Sequence, residues 1–227
     1  MPEELSEGLI RFLHDLLPED RDHALSVLSA CRTIVLESGV PRFTSGFPTE
    51  ALLLVDSGFV ILRATMSPAL RSVVTREAGP GSVLLASAGT EVLLGLGRSR
   101  LTVVDPCARA TLLTVPAVAD RLVQQLALAL RQNQEAIANF APARHVDRVR
   151  GKLLELGGSY GRVVRDGVRI DFPVSHGLLA EMIGSSRETV TRAVADLQRV
   201  GFVDRRGSTY RLLVSPQSVL PGSGRNG

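Results

Sequence analysis

No run of about eighteen apolar residues occurs in the 227 residues, which excludes a helical membrane span. The opening stretch, Met1 to Glu7, is acidic where a secretory leader needs a basic region, so the expected location is the cytoplasm. Cysteine is scarce. Cys31 and Cys107 stand far apart, in no Cys-x-x-Cys or Cys/His spacing, and give neither a zinc site nor an iron–sulfur ligand set. Lysine is almost missing, Lys152 being the single one beside the arginines. The four histidines, His14, His23, His145 and His176, fall in no nucleophile elbow and no metal motif. An enzyme with a basic substrate-binding domain is therefore the weaker alternative, and no catalytic residue or metal ligand is assigned.

What the chain does have is 44% hydrophobic residues, enough for real cores, and a length suited to one large or two small domains. Its formal charge of +3 conceals a division. Residues 1–140 hold twelve arginines against fifteen acids, a balance of −3, whereas residues 141–227 carry +6. A basic C-terminal part beside an acidic N-terminal one points to a polyanionic partner, although a basic face can also be merely solvated.

Apolar spacing through Leu5, Leu9, Phe12, Leu13, Leu16 and Leu17, and again after Pro18 through Leu28, predicts two short helices. From Arg32 the pattern changes to short β-rich runs: 33–36, 51–55, 58–63, 71–77, 82–85, 101–104 and 110–115. Turn signals such as Ser38-Gly39, Gly79-Pro80-Gly81 and Asp105-Pro106 separate them, which reads as an all-β barrel or sandwich.

Between Pro116 and Pro142 there is neither glycine nor proline, and the spacing is helical. Val123, Leu130 and Ile137 recur every seven residues, as do Leu126, Asn133 and Phe140 three positions later, forming an a/d seam. A seam needs a partner, either the helix's own β domain or a second copy. A polar Asn133 at a seam position favours the second copy, because such residues fix register in helix pairs. Ala141-Pro142 then makes a hinge.

Beyond it, Val146, Val149, Leu153, Leu154 and Leu156 predict an amphipathic helix that ends at Gly157-Gly158, with Arg144, Arg148, Arg150 and Lys152 on its outer side. Two alternating runs around Asp166-Gly167 predict a hairpin. Helices over 175–183 and 186–200, joined by Gly184-Ser185, predict a helix-turn-helix, and runs 202–205 and 209–214 around Arg206-Gly207-Ser208 add a wing. The tail after residue 215 is expected to be disordered.

At about 100° per residue, Val190, Ala193, Val194 and Leu197 of the second helix form one inward stripe. Arg187, Glu188 and Arg192 project from the opposite side of its N-terminal half, where a major-groove reader carries its base contacts. Arginine can donate two bonds to guanine and glutamate can accept from cytosine, so the trio suits base reading. The same residues also fit an exposed helix stabilised by a Ser185/Glu188 capping box and a Glu188–Arg192 ion pair. Ser175, His176, Ser186, Thr189 and the wing-tip Arg206 are candidate phosphate contacts.

The stretch Ser175-His176-Gly177-Leu178-Leu179-Ala180-Glu181-Met182-Ile183-Gly184-Ser185-Ser186-Arg187-Glu188-Thr189-Val190-Thr191-Arg192 resembles the helix-turn-helix of the Crp/Fnr superfamily of transcription regulators. The resemblance extends over about 5–214. It implies an α+β architecture with a cyclic-nucleotide-binding-like β-roll (1–116), a long dimerisation helix and hinge (117–141) and a C-terminal winged helix (142–215). It further implies a homodimer on a palindrome of TGTGA-like half-sites in double-stranded DNA, and contact with RNA polymerase. Members that bind a cyclic nucleotide carry a Gly-Glu pair and an Arg-Ser pair in a short phosphate cassette. Here Gly81 is followed by Ser82, and Arg98-Ser99 comes later than the cassette allows. Ser82, Arg98 and Arg100 are the candidate effector-pocket residues, a cyclic nucleotide is not expected, and a haem, another small apolar ligand or no ligand stays open.

Overall fold

The computed structural model describes residues 5–64, 72–86, 91–139, 144–215 and 219, and it divides into two compact units, Met1–Gln132 and Asn133–Gly227. The first unit opens with α1 (Glu7–Leu13) and α2 (Pro18–Ala30). Strands β1 (Arg32–Leu36) and β2 (Arg42–Phe43), a 3-10 turn (Thr44–Gly46), β3 (Leu52–Ser57), β4 (Val60–Ala64), β5 (Val73–Ala78), β6 (Val83–Leu85), β7 (Val92–Gly95) and β8 (Ser99–Val104) follow. Then come α3 (Pro106–Leu112) and the long α4 (Pro116–Asn139).

The strands form two antiparallel sheets, ordered β1-β8-β3-β6 and β2-β7-β4-β5. Ile34, Leu36, Leu53, Val55, Val60, Leu62, Leu93 and Leu101 make one apolar cluster and give a β-roll. Full burial of each such side chain contributes about 1.5–3 kcal/mol. A second cluster joins Leu54, Val83 and Val104 to Phe12, Leu13 and Leu28 of the first two helices and to Leu112, Val118 and Leu122. Covered on both faces, β3 reads as an unbroken Leu-Leu-Leu-Val run rather than an alternating one. Gly8 permits the close docking of α1, since a Cβ there would lie 2.0 Å from the Val55 carbonyl.

Two expectations are corrected in this unit. The run 110–115 is not a strand: Asp105 caps α3 by accepting the Ala108 amide at 2.9 Å, and Pro106 stands at the first helical position, where its missing N–H is harmless. The apolar residues that follow, Leu112 and Val115, are buried beside α4. The strand β7, absent from the β-rich runs read in the sequence, pairs with both β2 and β4. The expected start of β5 at Arg71 lies outside the described residues.

The second unit contains α5 (His145–Tyr160), β9 (Gly161–Val164), β10 (Gly167–Ile170), α6 (His176–Ile183), α7 (Arg187–Arg199), β11 (Val203–Arg206) and β12 (Thr209–Leu212). Its two hairpins merge into one sheet, β11-β12-β10-β9, with Ile170 opposite Tyr210. Val149, Leu153, Leu179, Val190, Val194, Leu197, Tyr210 and Leu212 fill its core.

Here α5 does not stop at Gly157-Gly158. A Cβ on Gly157 would meet Leu212 Cδ1 at 2.6 Å, and one on Gly158 would meet the Val219 carbonyl at 2.5 Å, so the pair serves close packing rather than termination. Val219 lies against these two glycines; the other residues of the tail expected to be disordered, 216–218 and 220–227, lie outside the described residues. Lys152 was placed on the outer side but is only 3% exposed, with its ammonium 2.8 Å from Glu155 Oε1. Its ion pair satisfies the charge within the fold.

Candidate nucleic-acid interface

Each helix of the helix-turn-helix is set by its own cap. Ser175 Oγ accepts the Leu178 amide at 3.0 Å at the start of α6, and Ser186 Oγ accepts the Thr189 amide at 3.1 Å at the start of α7. Between them Gly184 adopts φ 61°, ψ 45°, a left-handed conformation natural to glycine, and the Ser185 amide bonds back to the Ala180 carbonyl at 2.9 Å. Ser185 Oγ lies 3.1 Å from His145 Nδ1, which pins the turn to α5. The cap is thus Ser186 and not Ser185, so the expected Ser185/Glu188 box is not the one used. Glu188 falls one position short of the residue whose carboxylate could reach back.

With Val190, Ala193, Val194 and Leu197 buried at 4% exposure or less, α7 has no rotational freedom against the core. Arg187, Glu188 and Arg192 are all exposed, on the side away from that stripe. Thr191 shares their face and was not singled out from the sequence, although its place between Arg187 and Glu188 on a helical wheel marks it. Its hydroxyl donates to the Arg187 carbonyl at 2.8 Å and accepts from His176 Nδ1, also at 2.8 Å.

That bond fixes one side of the His176 ring. Its Nδ1 is engaged by Thr191, while its Nε2 is buried without a hydrogen-bond partner among the described residues. Burial, then the charges of Arg205 and Arg187, hold its pKa below the ordinary imidazole value, so the neutral ring is favoured. Through Thr191 the ring ties the first residue of α6 to α7. Ser175 is exposed and keeps its hydroxyl proton for a donor bond; Ser186 and Thr189 are half-buried, their hydroxyls 2.9 Å apart. Arg206, 88% exposed at the end of β11, precedes the wing turn at Gly207, with Asp204 Oδ2 3.9 Å from its Nε. Arg150 stacks on Phe202 at 4.9 Å and Arg205 on Tyr210 at 5.6 Å, so these two guanidiniums belong to the scaffold.

In the first unit, α4 carries two apolar faces. Val118, Leu122 and Ala129 are buried, whereas Val123, Leu126 and Leu130 of the seam are 61, 54 and 65% exposed. The side chains of Asn133 and Ile137, and all of Phe140 and the Ala141-Pro142 hinge, lie outside the described residues.

Two of the candidate effector residues, Arg98 and Arg100, are exposed. Arg98 occupies the turn between β7 and β8, exposed, with Glu37 at 3.7 Å; Arg100 faces out from β8 opposite Val35. The alternation along β8 that buries Ser99 and Leu101 turns Arg100 to solvent. Ser82 is half-buried, and its backbone bonds to Gly79 and Val55. Among the described residues no helix is long and apolar enough to cross a membrane.

Comparison with known proteins places this geometry among others. Residues 147–216 match the family model for the Crp-like helix-turn-helix domain. The chain is 31% identical over 204 residues to the cyclic AMP receptor protein of Thermus thermophilus, covering 84% of this chain and 86% of that one. It is 25% identical over 185 residues to the CRP-like cAMP-activated global transcriptional regulator of Mycobacterium tuberculosis, covering 78% and 81%. Among solved structures, a CooA mutant from Carboxydothermus hydrogenoformans matches in fold with a TM-score of 0.71 at 17% identity, covering 83% of this chain and 86% of that one.

Proposed function

Because the chain belongs to the Crp/Fnr family of helix-turn-helix transcription regulators, we propose that it works as a homodimer that binds a palindromic site in double-stranded DNA through α7. The observation that carries this reading is the rigidly held α7, with Arg187, Glu188 and Arg192 exposed together on its N-terminal half. Ser175, His176, Ser186, Thr189 and Arg206 would hold the phosphates on either side. The partner for the exposed Val123, Leu126 and Leu130 is the same stripe on a second chain, with Asn133, Ile137 and Phe140 continuing the seam.

In this reading residues 1–116 form the effector-type domain, 117–141 the dimer helix and hinge, and 142–215 the DNA-binding domain. The regulator acts in the cytoplasm and meets RNA polymerase at its promoter. Two relatives are a cyclic AMP receptor and a cAMP-activated regulator by name. This chain departs from the cassette in having Ser82 after Gly81 and an outward Arg98, and both departures support a regulator that does not respond to a cyclic nucleotide. An effector would act only by binding the DNA-competent arrangement better than the other.

Fluorescence anisotropy on a labelled duplex tests the phosphate part. The logarithm of the binding constant should fall linearly with the logarithm of salt concentration, by about 0.9 per phosphate neutralised. Arg206→Ala should make that slope shallower by about 1 per chain at unchanged sequence preference. A salt-independent affinity would contradict electrostatic docking on DNA.

A further inference from the structure

Within the first unit a cleft of about 700 Å³ opens where α2 and α3 converge beside β1, β8 and the 3-10 turn. That volume lies in the usual range for small-molecule sites, roughly 300–1,000 Å³. Its surface is apolar where Val27, Ala30, Ile34, Phe47, Val103 and Ala108 line it. Two arginines, Arg32 and Arg42, line it as well. Among the described residues Arg32 makes no ion pair, and the only partner of Arg42 is the Phe47 ring, 5.8 Å from its guanidinium carbon. The one carboxylate in the lining, Asp105, caps α3 through Oδ1. Cys31 is half-buried and its thiol donates to the Val27 carbonyl at 3.3 Å; burial, then Asp105, push its pKa up and keep it neutral.

We propose that this cleft binds a small amphipathic anion, a carboxylate carried on an apolar chain or ring, with Arg32 and Arg42 holding the head group. An apolar floor rewards the body of such a ligand by removing it from water. Two guanidiniums that pair with no carboxylate among the described residues reward the head, because charge-assisted bonds to arginine are among the stronger ones. The neutral thiol adds no negative charge, and the single carboxylate of the lining, Asp105, is outnumbered by the two arginines. A short turn after α3 leads into α4, and Leu112 and Val115 are buried in one cluster with Val118. The site stands independently of the DNA-binding proposal, so failure of either leaves the other intact.

Calorimetric titration of the full chain with decanoate, propionate and decanol tests both halves of the claim. Decanoate should bind saturably at one site per chain; propionate, lacking the body, and decanol, lacking the charge, should each bind at least about tenfold more weakly. An R32A/R42A double variant should lose about tenfold for decanoate at an unchanged melting temperature, and R42A alone should lose part of it. The exposed Cys107 also lines the cleft, so decanoate should slow its labelling by a disulfide reagent, with C107S as the control. Absence of saturable decanoate binding, equal affinity in the double variant, or an unchanged labelling rate would each overturn the proposal. Capture by phosphatidylglycerol vesicles without binding of monomeric decanoate would overturn it too, in favour of a lipid surface.

Discussion

Arg187→Ala and Arg192→Ala are each expected to weaken specific DNA binding by about 1–3 kcal/mol per half-site, roughly 5- to 150-fold, and to relax preference at the base each side chain reads. Neither should shift the melting temperature appreciably, because both side chains are exposed and α7 is held by Val190, Ala193, Val194 and Leu197 on its other face. The competing account makes these residues surface stabilisers of an exposed helix. It predicts the reverse pattern, a small loss of stability and unaltered DNA binding. Anisotropy on a specific duplex, paired with thermal unfolding, separates the two. Glu188→Ala belongs in the same series, since a cytosine contact would be lost without any change in the salt slope.

A Leu126→Glu/Leu130→Glu variant is expected to sediment as a monomer and to lose about 10²–10⁴ in affinity for a two-half-site duplex, because joint engagement of the half-sites is gone. The roll should stay folded. Leu126 and Leu130 are more than half exposed, while the contacts that dock α4 on its own unit come from Val118, Leu122 and Ala129. A dimer that persists in sedimentation would place the interface elsewhere on the chain.

Much of this was legible in the sequence where local chemistry decides structure. The helix-turn-helix could be read because Ser175, Gly184 and Ser186 each have a local task, two caps and a left-handed turn. The inward stripe of α7 follows from spacing alone. What escaped depended on tertiary packing. Gly157-Gly158 looks like a helix stop, and only the approach of Leu212 and Val219 shows why a helix tolerates it. Lys152 reads as a surface residue until Glu155, three positions on, is seen to pair with it in the interior. Likewise Asp105-Pro106 is equally good as a turn or as a helix start, and burial of the residues after it decides. At the site, nothing in the spacing of His176, the first residue of α6, marks a tie between the two helices. Its bond to Thr191, fifteen residues away, is a property of the folded pair of helices.

Selection of bound sequences from a random duplex library by the full chain tests the central claim most directly. The account predicts enrichment of a two-fold symmetric site whose half-site centres lie one helical turn, about 34–36 Å, apart or a multiple of it, with guanines among the fixed positions. Enrichment of a single asymmetric half-site, or of no sequence at all, would contradict it.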